Sequence, residues 1–191
     1  MLVWVKGFAR REFQLMLLRR MADFQPELVA QACAELEASH ADYMRAHNRW
    51  QSMLRSARAP GGLRLYLATL GPPEREQEVR FGDATVTTCT WQLPGLWPRL
   101  RWQATVGVQD VVLHGWLVRE DGAKVPRLPE PRRLAPWSCV VGDVLTQFPS
   151  ATQRDPDVPS QWLVTHAGQQ LWFVHGLLQK VGRDEKVDDG Q

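Results

Sequence analysis

Cysteine is scarce in this chain, and the cysteines it has cannot build a disulfide framework. They are Cys33, Cys89 and Cys139, an odd number spread over the whole sequence, with no CxxC pair among them. Such usage is typical of a reducing compartment and does not favour a cysteine zinc site. We therefore expect an intracellular protein with free thiols and no metal.

An excess of one charge and long apolar runs are also lacking. The formal net charge is +2 for 191 residues, too small by itself to indicate a nucleic-acid partner. No apolar run approaches the roughly 18 residues that span a bilayer, so we expect no transmembrane segment. The first twenty residues lack the pattern of a secretory signal. We expect the cytoplasm, with the mitochondrial matrix as the alternative because this segment is rich in arginine.

Catalytic motifs are missing as well. The sequence contains no GxSxG, HExxH, P-loop or GxGxxG pattern. The acidic residues fall mostly in predicted loops or on a predicted helix, so they single out no carboxylate pair for acid–base chemistry. The sequence therefore favours a non-catalytic protein and indicates no catalytic residue, no metal ligand and no cofactor.

Tryptophan, in contrast, is abundant. The chain has nine, and seven of them follow residue 90. A tryptophan brings a large apolar area together with one hydrogen-bond donor, and it serves both in cores and as an anchor in protein interfaces. The second half of the chain is therefore expected to hold an aromatic core or a binding surface.

The N-terminal part, residues 1–62, is predicted to be a helical arm. A short helix is expected over 8–23, and Pro26 suits the first turn of a second one. No glycine or proline follows until residue 60, so the pattern predicts one long helix over about 26–58. The arm is then a helical hairpin that ends at Gly61-Gly62.

The predicted long helix carries a heptad pattern, which is typical of a coiled coil. A helix of this length must lie along something, either this chain's own elements or another subunit. Two histidines of the seam are seven residues apart, roughly 10 Å along the axis, too far to share one metal ion. The predicted interface on this helix comprises Leu36, His40, Tyr43, His47, Trp50 and Leu54.

From residue 63 the apolar pattern alternates, which predicts a mostly antiparallel β-domain over 63–181. About eight strands are expected, arranged as a sandwich or a barrel-like sheet. The first is placed at 63–70, a hairpin is predicted to turn at Gly82-Asp83, and another strand is placed at 137–148. The predicted fold class is therefore α+β, and the last residues, 182–191, are predicted to be a disordered tail.

Two segments of the β-domain resemble each other. Residues 101–118 and 161–178 each contain a tryptophan near the start and a His-Gly pair near the end. We interpret them as a repeated hairpin. Around each histidine the strand is apolar on both faces, which predicts cover from the core on one side and from a helix or partner on the other. The predicted tryptophan anchors of this surface are Trp102, Trp116, Trp162 and Trp172.

The histidines of these pairs have two interpretations. His114 and His175 can be core or interface residues beside a glycine that marks close packing, which is the interpretation we favour. The alternative is an enzyme in which one of them acts with Asp143 or Asp110 as the orienting acid. No residue at a diagnostic spacing completes such a site.

Three functions follow from these patterns. The first is a non-catalytic interaction or assembly subunit, whose helical seam pairs with another protein subunit or a second copy and whose sheet presents tryptophans. The second is a small-ligand-binding β-barrel, and the third is the histidine enzyme. Nucleic acid is not favoured, because the basic loop over 124–133 lacks interleaved aromatic residues. The missing catalytic motifs favour the first function.

Overall fold

The computed structural model describes residues 6–154 and 158–183. Within them the chain forms four α-helices, a four-stranded antiparallel sheet, a fifth α-helix and a second four-stranded antiparallel sheet, which confirms the α+β class. Residues 184–191 of the predicted tail lie outside the described residues. The helices are α1 (Arg10–Met21), α2 (Pro26–Glu35), α3 (His40–Arg55), α4 (Leu63–Leu70) and α5 (Val141–Gln147). The strands are β1 (Arg75–Phe81), β2 (Ala84–Gln92), β3 (Leu100–Val106), β4 (Val112–Arg119), β5 (Thr152–Arg154), β6 (Gln161–His166), β7 (Gln169–Val174) and β8 (Leu177–Arg183).

The chain divides into two compact units, Met1–Gly115 and Trp116–Gln191. In the first unit the helices pack on their own sheet through a fully buried ring, Phe13 of α1. Its centroid lies 5.2 Å from that of Trp50 in α3, 5.9 Å from that of Tyr66 in α4 and 5.1 Å from that of Trp102 in β3. These edge-to-face contacts are the geometry that aromatic rings prefer. One aromatic residue thus joins three helices and a strand.

The predicted long helix over 26–58 is wrong, because α2 ends at Glu35 and α3 begins at His40. Glu37 lies between them with a φ of +51°, a left-handed conformation that ends a helix. Ser39 then caps α3: its hydroxyl accepts a bond from the Asp42 N–H at 3.2 Å, and the Asp42 carboxylate accepts one from the Ser39 N–H at 2.8 Å. This reciprocal capping starts a new helix and breaks the heptad register.

The predicted strand at 63–70 is also wrong, since these residues form α4. Leu65, Thr69 and Leu70 are buried, a spacing that places them on one side of a helix. Leucine and alanine, which dominate the segment, are good helix formers and fit a helix as well as an alternating strand. Packing of that side against the unit's core therefore decides the conformation.

The first sheet has the strand order β1-β2-β3-β4. Its first hairpin turns at Gly82-Asp83, with Phe81 paired to Ala84, which confirms the prediction. The sheet is tied to the helices by Trp91, whose indole N–H donates to the Gly71 carbonyl at 2.9 Å. Because that indole is fully buried, the bond satisfies a donor that would otherwise cost free energy.

The second sheet has the order β5-β6-β7-β8, so each strand pairs with its neighbour in sequence. Its core includes Val164, Leu171, Phe173 and Leu178, all almost completely buried. Neither sheet closes into a barrel, since each retains two edge strands in this order, which corrects the barrel-like alternative. Within the described residues, no helix is both long enough and apolar enough to cross a membrane.

The predicted strand at 137–148 is wrong, because Val141–Gln147 is the helix α5. Asp143, at the third position of this helix, accepts a hydrogen bond from the Val140 N–H at 3.1 Å and so caps the first turn. Val141 and Val144, three residues apart, face the core of the second unit. A capping carboxylate and helical spacing thus override the β-branched composition.

Candidate functional site

The two His-Gly pairs have different structures. His114 lies within β4 and its Nε2 is 3.1 Å from the Thr105 hydroxyl, whereas His175 lies in the turn between β7 and β8. Burial lowers the pKa of His114 below its ordinary value of 6.5, so the ring is neutral at neutral pH. The similarity of the two segments therefore does not extend to the backbone at the histidines, although Trp102 and Trp162 are both buried.

The second His-Gly pair is a hairpin turn. Val174 pairs with Leu177, and the residues between them, His175 and Gly176, have φ of +48° and +78°. Two consecutive positive φ angles are the mark of a type I′ turn, for which Asn-Gly is the usual sequence. A Cβ on Gly176 would lie 2.8 Å from the Leu117 carbonyl oxygen. His175 is therefore a turn residue, a role that sequence analysis missed.

Asp143, the acid of the catalytic alternative, is held in an ion pair. Its carboxylate is 1% exposed and accepts two bonds from the Arg119 guanidinium, at 2.5 Å and 3.2 Å. Asp143 and His175 belong to the second unit, and His114 belongs to the first. In the described residues no group of three or more His, Cys, Asp or Glu side chains could hold a metal ion.

The thiols are not activated as nucleophiles. Burial raises the pKa of Cys89 to about 11 and that of Cys139 to about 12, and it also raises the pKa of Cys33. A thiol reacts as its thiolate, so a raised pKa suppresses reactivity at neutral pH. These cysteines serve as small apolar core residues.

Most residues of the predicted interface are at least partly buried. Trp50 stacks on Phe8 with centroids 5.7 Å apart, and Trp116 lies 5.3 Å from Trp162. The buried members are Tyr43, Trp50, Trp102 and Trp162; the half-buried ones are Leu36, His47, Trp116 and Trp172; the exposed ones are His40 and Leu54. The buried tryptophans are core residues. Because His40 and Leu54 are exposed, an interface on α3 stays a prediction.

Three strongly exposed apolar residues of the described chain lie together at the end of the β3–β4 hairpin. Val108 is 81% exposed, Val111 51% and Leu113 55%. We call residues 107–113 the β3–β4 tip. The sequence predicted that both faces of the strand around His114 would be covered, including the one that carries Val111 and Leu113. In this chain that part of the face is exposed.

The backbone of the β3–β4 tip is strained. Gln109 and Asp110 both have left-handed φ angles, +57° and +60°, although neither is glycine. Such residues cost on the order of 1–2 kcal/mol each and tend to occur at functional sites. The tip is braced against Gly62, where a Cβ would overlap the Asp110 carbonyl oxygen. The strain and bracing fix how the tip presents Val108.

A second surface feature lies along α3. An open groove of about 580 Å³ is lined by polar side chains, with no carboxylate among the described ones. We call it the α3 groove. Its described lining residues are His47, Asn48, Gln51, Ser52, Arg55 and Ser56. Of these, the sequence singled out only His47, as a seam residue.

Comparisons with known proteins identify no family. No protein-family model matches this chain, and no curated protein matches it in sequence. One solved structure, described as a "putative beta-lactamase inhibitor protein" from Streptococcus mutans, is similar over 71% of this chain and 94% of its own, at 10% identity and a TM-score of 0.29. A TM-score of this size does not establish a common fold.

Proposed function

We propose that this protein is a non-catalytic interaction module that binds another protein subunit through the β3–β4 tip. The observation that carries the proposal is the exposure of Val108, Val111 and Leu113 within six residues of one hairpin. Single exposed apolar residues are common, but a cluster of them on a braced hairpin is typical of an interaction site.

The geometry of the tip specifies the surface that it fits. A hairpin end is convex, so its partner must offer a concave apolar pocket. Burying three aliphatic side chains would contribute on the order of 5 kcal/mol, which corresponds to weak binding by itself. The tip therefore acts as the anchor of a wider interface whose rim is polar, as in other protein complexes.

The strained backbone supports this function. Left-handed Gln109 and Asp110 make the tip less stable than a glycine-containing turn would be. A tip that is already held in its binding conformation loses little entropy on association. The strain therefore lowers the stability of the fold and, in return, increases the affinity of the tip for its partner.

Site-specific photo-crosslinking in the intact chain tests the proposal. A photoreactive residue at position 108 is expected to form one discrete adduct in cells, and one at Gln77, an exposed residue of β1, is expected to form none. The substitution Leu113→Asp should abolish the adduct at 108, because it places a charge in the apolar contact. Circular dichroism would confirm that the variant is folded.

Two results would overturn this assignment. Equal labelling from positions 108 and 77 would mean that the tip has no preferred partner. An adduct with twice the mass of the chain would show that the partner is a second copy and not a different protein. Light scattering on the purified protein would then show a dimer that Leu113→Asp dissociates.

A further inference from the structure

The α3 groove is lined by hydrogen-bond donors. Imidazole, amide, hydroxyl and guanidinium groups at i, i+1, i+4, i+5 and i+8 along α3 all face one side of that helix. The five residues are His47, Asn48, Gln51, Ser52 and Arg55. A helix face that offers many donors and no carboxylate in its described lining is suited to a negatively charged ligand.

The donors of this groove are unused within the described chain. The Arg55 guanidinium makes no hydrogen bond or ion pair to any described residue. His47 Nδ1 is buried and likewise has no partner among the residues that the structure describes. Unpaired guanidinium groups favour carboxylate or phosphate oxygens, which they bind with two parallel hydrogen bonds.

The electrostatic environment of His47 is positive. Burial lowers its pKa most, and the charges of Arg19, Arg20 and Arg55 lower it further. Asp23 opposes this effect, but its carboxylate is already paired with Arg19 at 2.7 Å. The positive charge of Arg55, the arginine of the described lining, is therefore left for a ligand.

We propose that the α3 groove binds a phosphate-bearing small molecule, with Arg55 as the charged contact and His47, Asn48 and Gln51 as neutral donors. A volume of about 580 Å³ lies within the range of small-molecule sites and exceeds what a single phosphate fills. A ligand with more than one phosphoryl group, or one phosphoryl group on a larger body, matches this size. This site is separate in sequence from the β3–β4 tip.

The test uses NMR of the histidine rings in the full-length protein. The ring of His47 is assigned by its disappearance in His47→Gln. Inorganic phosphate and pyrophosphate are then titrated at constant ionic strength, with chloride as the reference anion. We expect saturable shifts of the His47 ring, with pyrophosphate binding more tightly. The bound anion should raise the pKa of His47, since a nearby negative charge favours the imidazolium.

Two arginine variants make the matched comparison. Arg55→Gln should weaken pyrophosphate binding about tenfold, the size expected for one charge-assisted contact. Arg64→Gln removes one positive charge from an exposed position outside the lining, and it should change binding less than about twofold. Thermal unfolding would confirm that both variants are folded.

Two outcomes would overturn the site. The first is a His47 ring that responds to phosphate and pyrophosphate no more than to chloride. The second is an equal loss of binding in Arg55→Gln and Arg64→Gln, which would indicate general attraction to a weakly positive surface. Leu113 is not among the described residues that line the groove, so we expect Leu113→Asp to keep its anion binding. Measuring both activities in that variant therefore distinguishes failure of the groove from failure of the β3–β4 tip.

Discussion

Arg119 and Asp143, 24 residues apart, form a two-point ion pair in the second unit. The guanidinium Nε and Nη2 each donate to one carboxylate oxygen, which is the preferred geometry of this pair. The same carboxylate caps α5 by accepting the Val140 N–H. One buried acid thus links β4 to the start of a helix.

Removing this acid should be costly. We expect Asp143→Ala to lower the free energy of unfolding by about 3–5 kcal/mol, because it leaves the Arg119 charge largely buried and unpaired. Urea unfolding would measure the loss. Glu130→Ala is the matched control, because it breaks an ion pair in which the side chains of Arg132 and Glu130 are 73% and 65% exposed. It should change the free energy of unfolding by less than about 0.5 kcal/mol.

The turn at His175 makes a prediction about backbone conformation. His175→Asn should preserve or slightly increase stability, since asparagine readily adopts the left-handed region. His175→Val should lower it by about 1–2 kcal/mol, because a β-branched residue is strained there. Thermal unfolding of the two variants would decide. Equal melting temperatures would contradict the assignment of a type I′ turn.

The two glycines Gly115 and Gly142 should respond to alanine in opposite directions. A Cβ on Gly115 would overlap the indole of Trp102, a fully buried neighbour, so Gly115→Ala should be destabilising by about 1–3 kcal/mol. A Cβ on Gly142 in α5 meets nothing within 4 Å, so Gly142→Ala should stabilise by roughly 0.5–1 kcal/mol. Chemical denaturation of both variants measures this difference. A lower free energy of unfolding in Gly142→Ala would count against the helical conformation of α5.

Acid should destabilise the protein through its histidines. The pKa of His114 is lowered by burial and that of His47 by burial and nearby arginines, so both rings bind a proton less readily in the folded state. Below about pH 6.5 the unfolded chain takes up protons that the folded chain does not, and stability falls until the folded pKa values are passed. Unfolding measured between pH 7.5 and 5 should show a smaller decline in His114→Gln, and an unchanged decline would exclude His114 as a cause.

The thiols provide a simple test of burial. In the folded protein at pH 7.5, Cys33, Cys89 and Cys139 should react slowly with a thiol reagent, because all three are buried and have raised pKa values. In denaturant all three should react at once. A single fast thiol under native conditions would point to local opening at that residue.

The sequence predicted the order of the elements better than their type. Pro26 correctly marked the start of α2, and Gly82-Asp83 correctly marked a hairpin, because proline and glycine act through their own backbone geometry. At 63–70 the conformation depends on packing with distant residues. Leucine at every second position fits a strand or one side of a helix, and no local rule separates the two.

Two local signals were present and were missed. Ser39 and Asp42 have the spacing of a capping box, which would have divided the predicted long helix. His175-Gly176 was interpreted as part of a strand in which the glycine marks close packing, whereas histidine is among the residues that tolerate a positive φ. The candidate site could be predicted only in part from the sequence. The strand face at Val111 and Leu113 was predicted to be covered, but its exposure depends on where the helices pack.

The buried amide of Gln14 bears on how the chain folds during synthesis. Its Nε2 donates to the Pro94 carbonyl at 2.7 Å, and its Oε1 accepts the Leu96 N–H at 3.2 Å, contacts 80 and 82 residues away. At ribosomal rates of about 5–20 residues per second, α1 must wait roughly 4–16 seconds for these partners to emerge. During that interval the Gln14 amide lacks both of these partners and must hydrogen-bond with water instead.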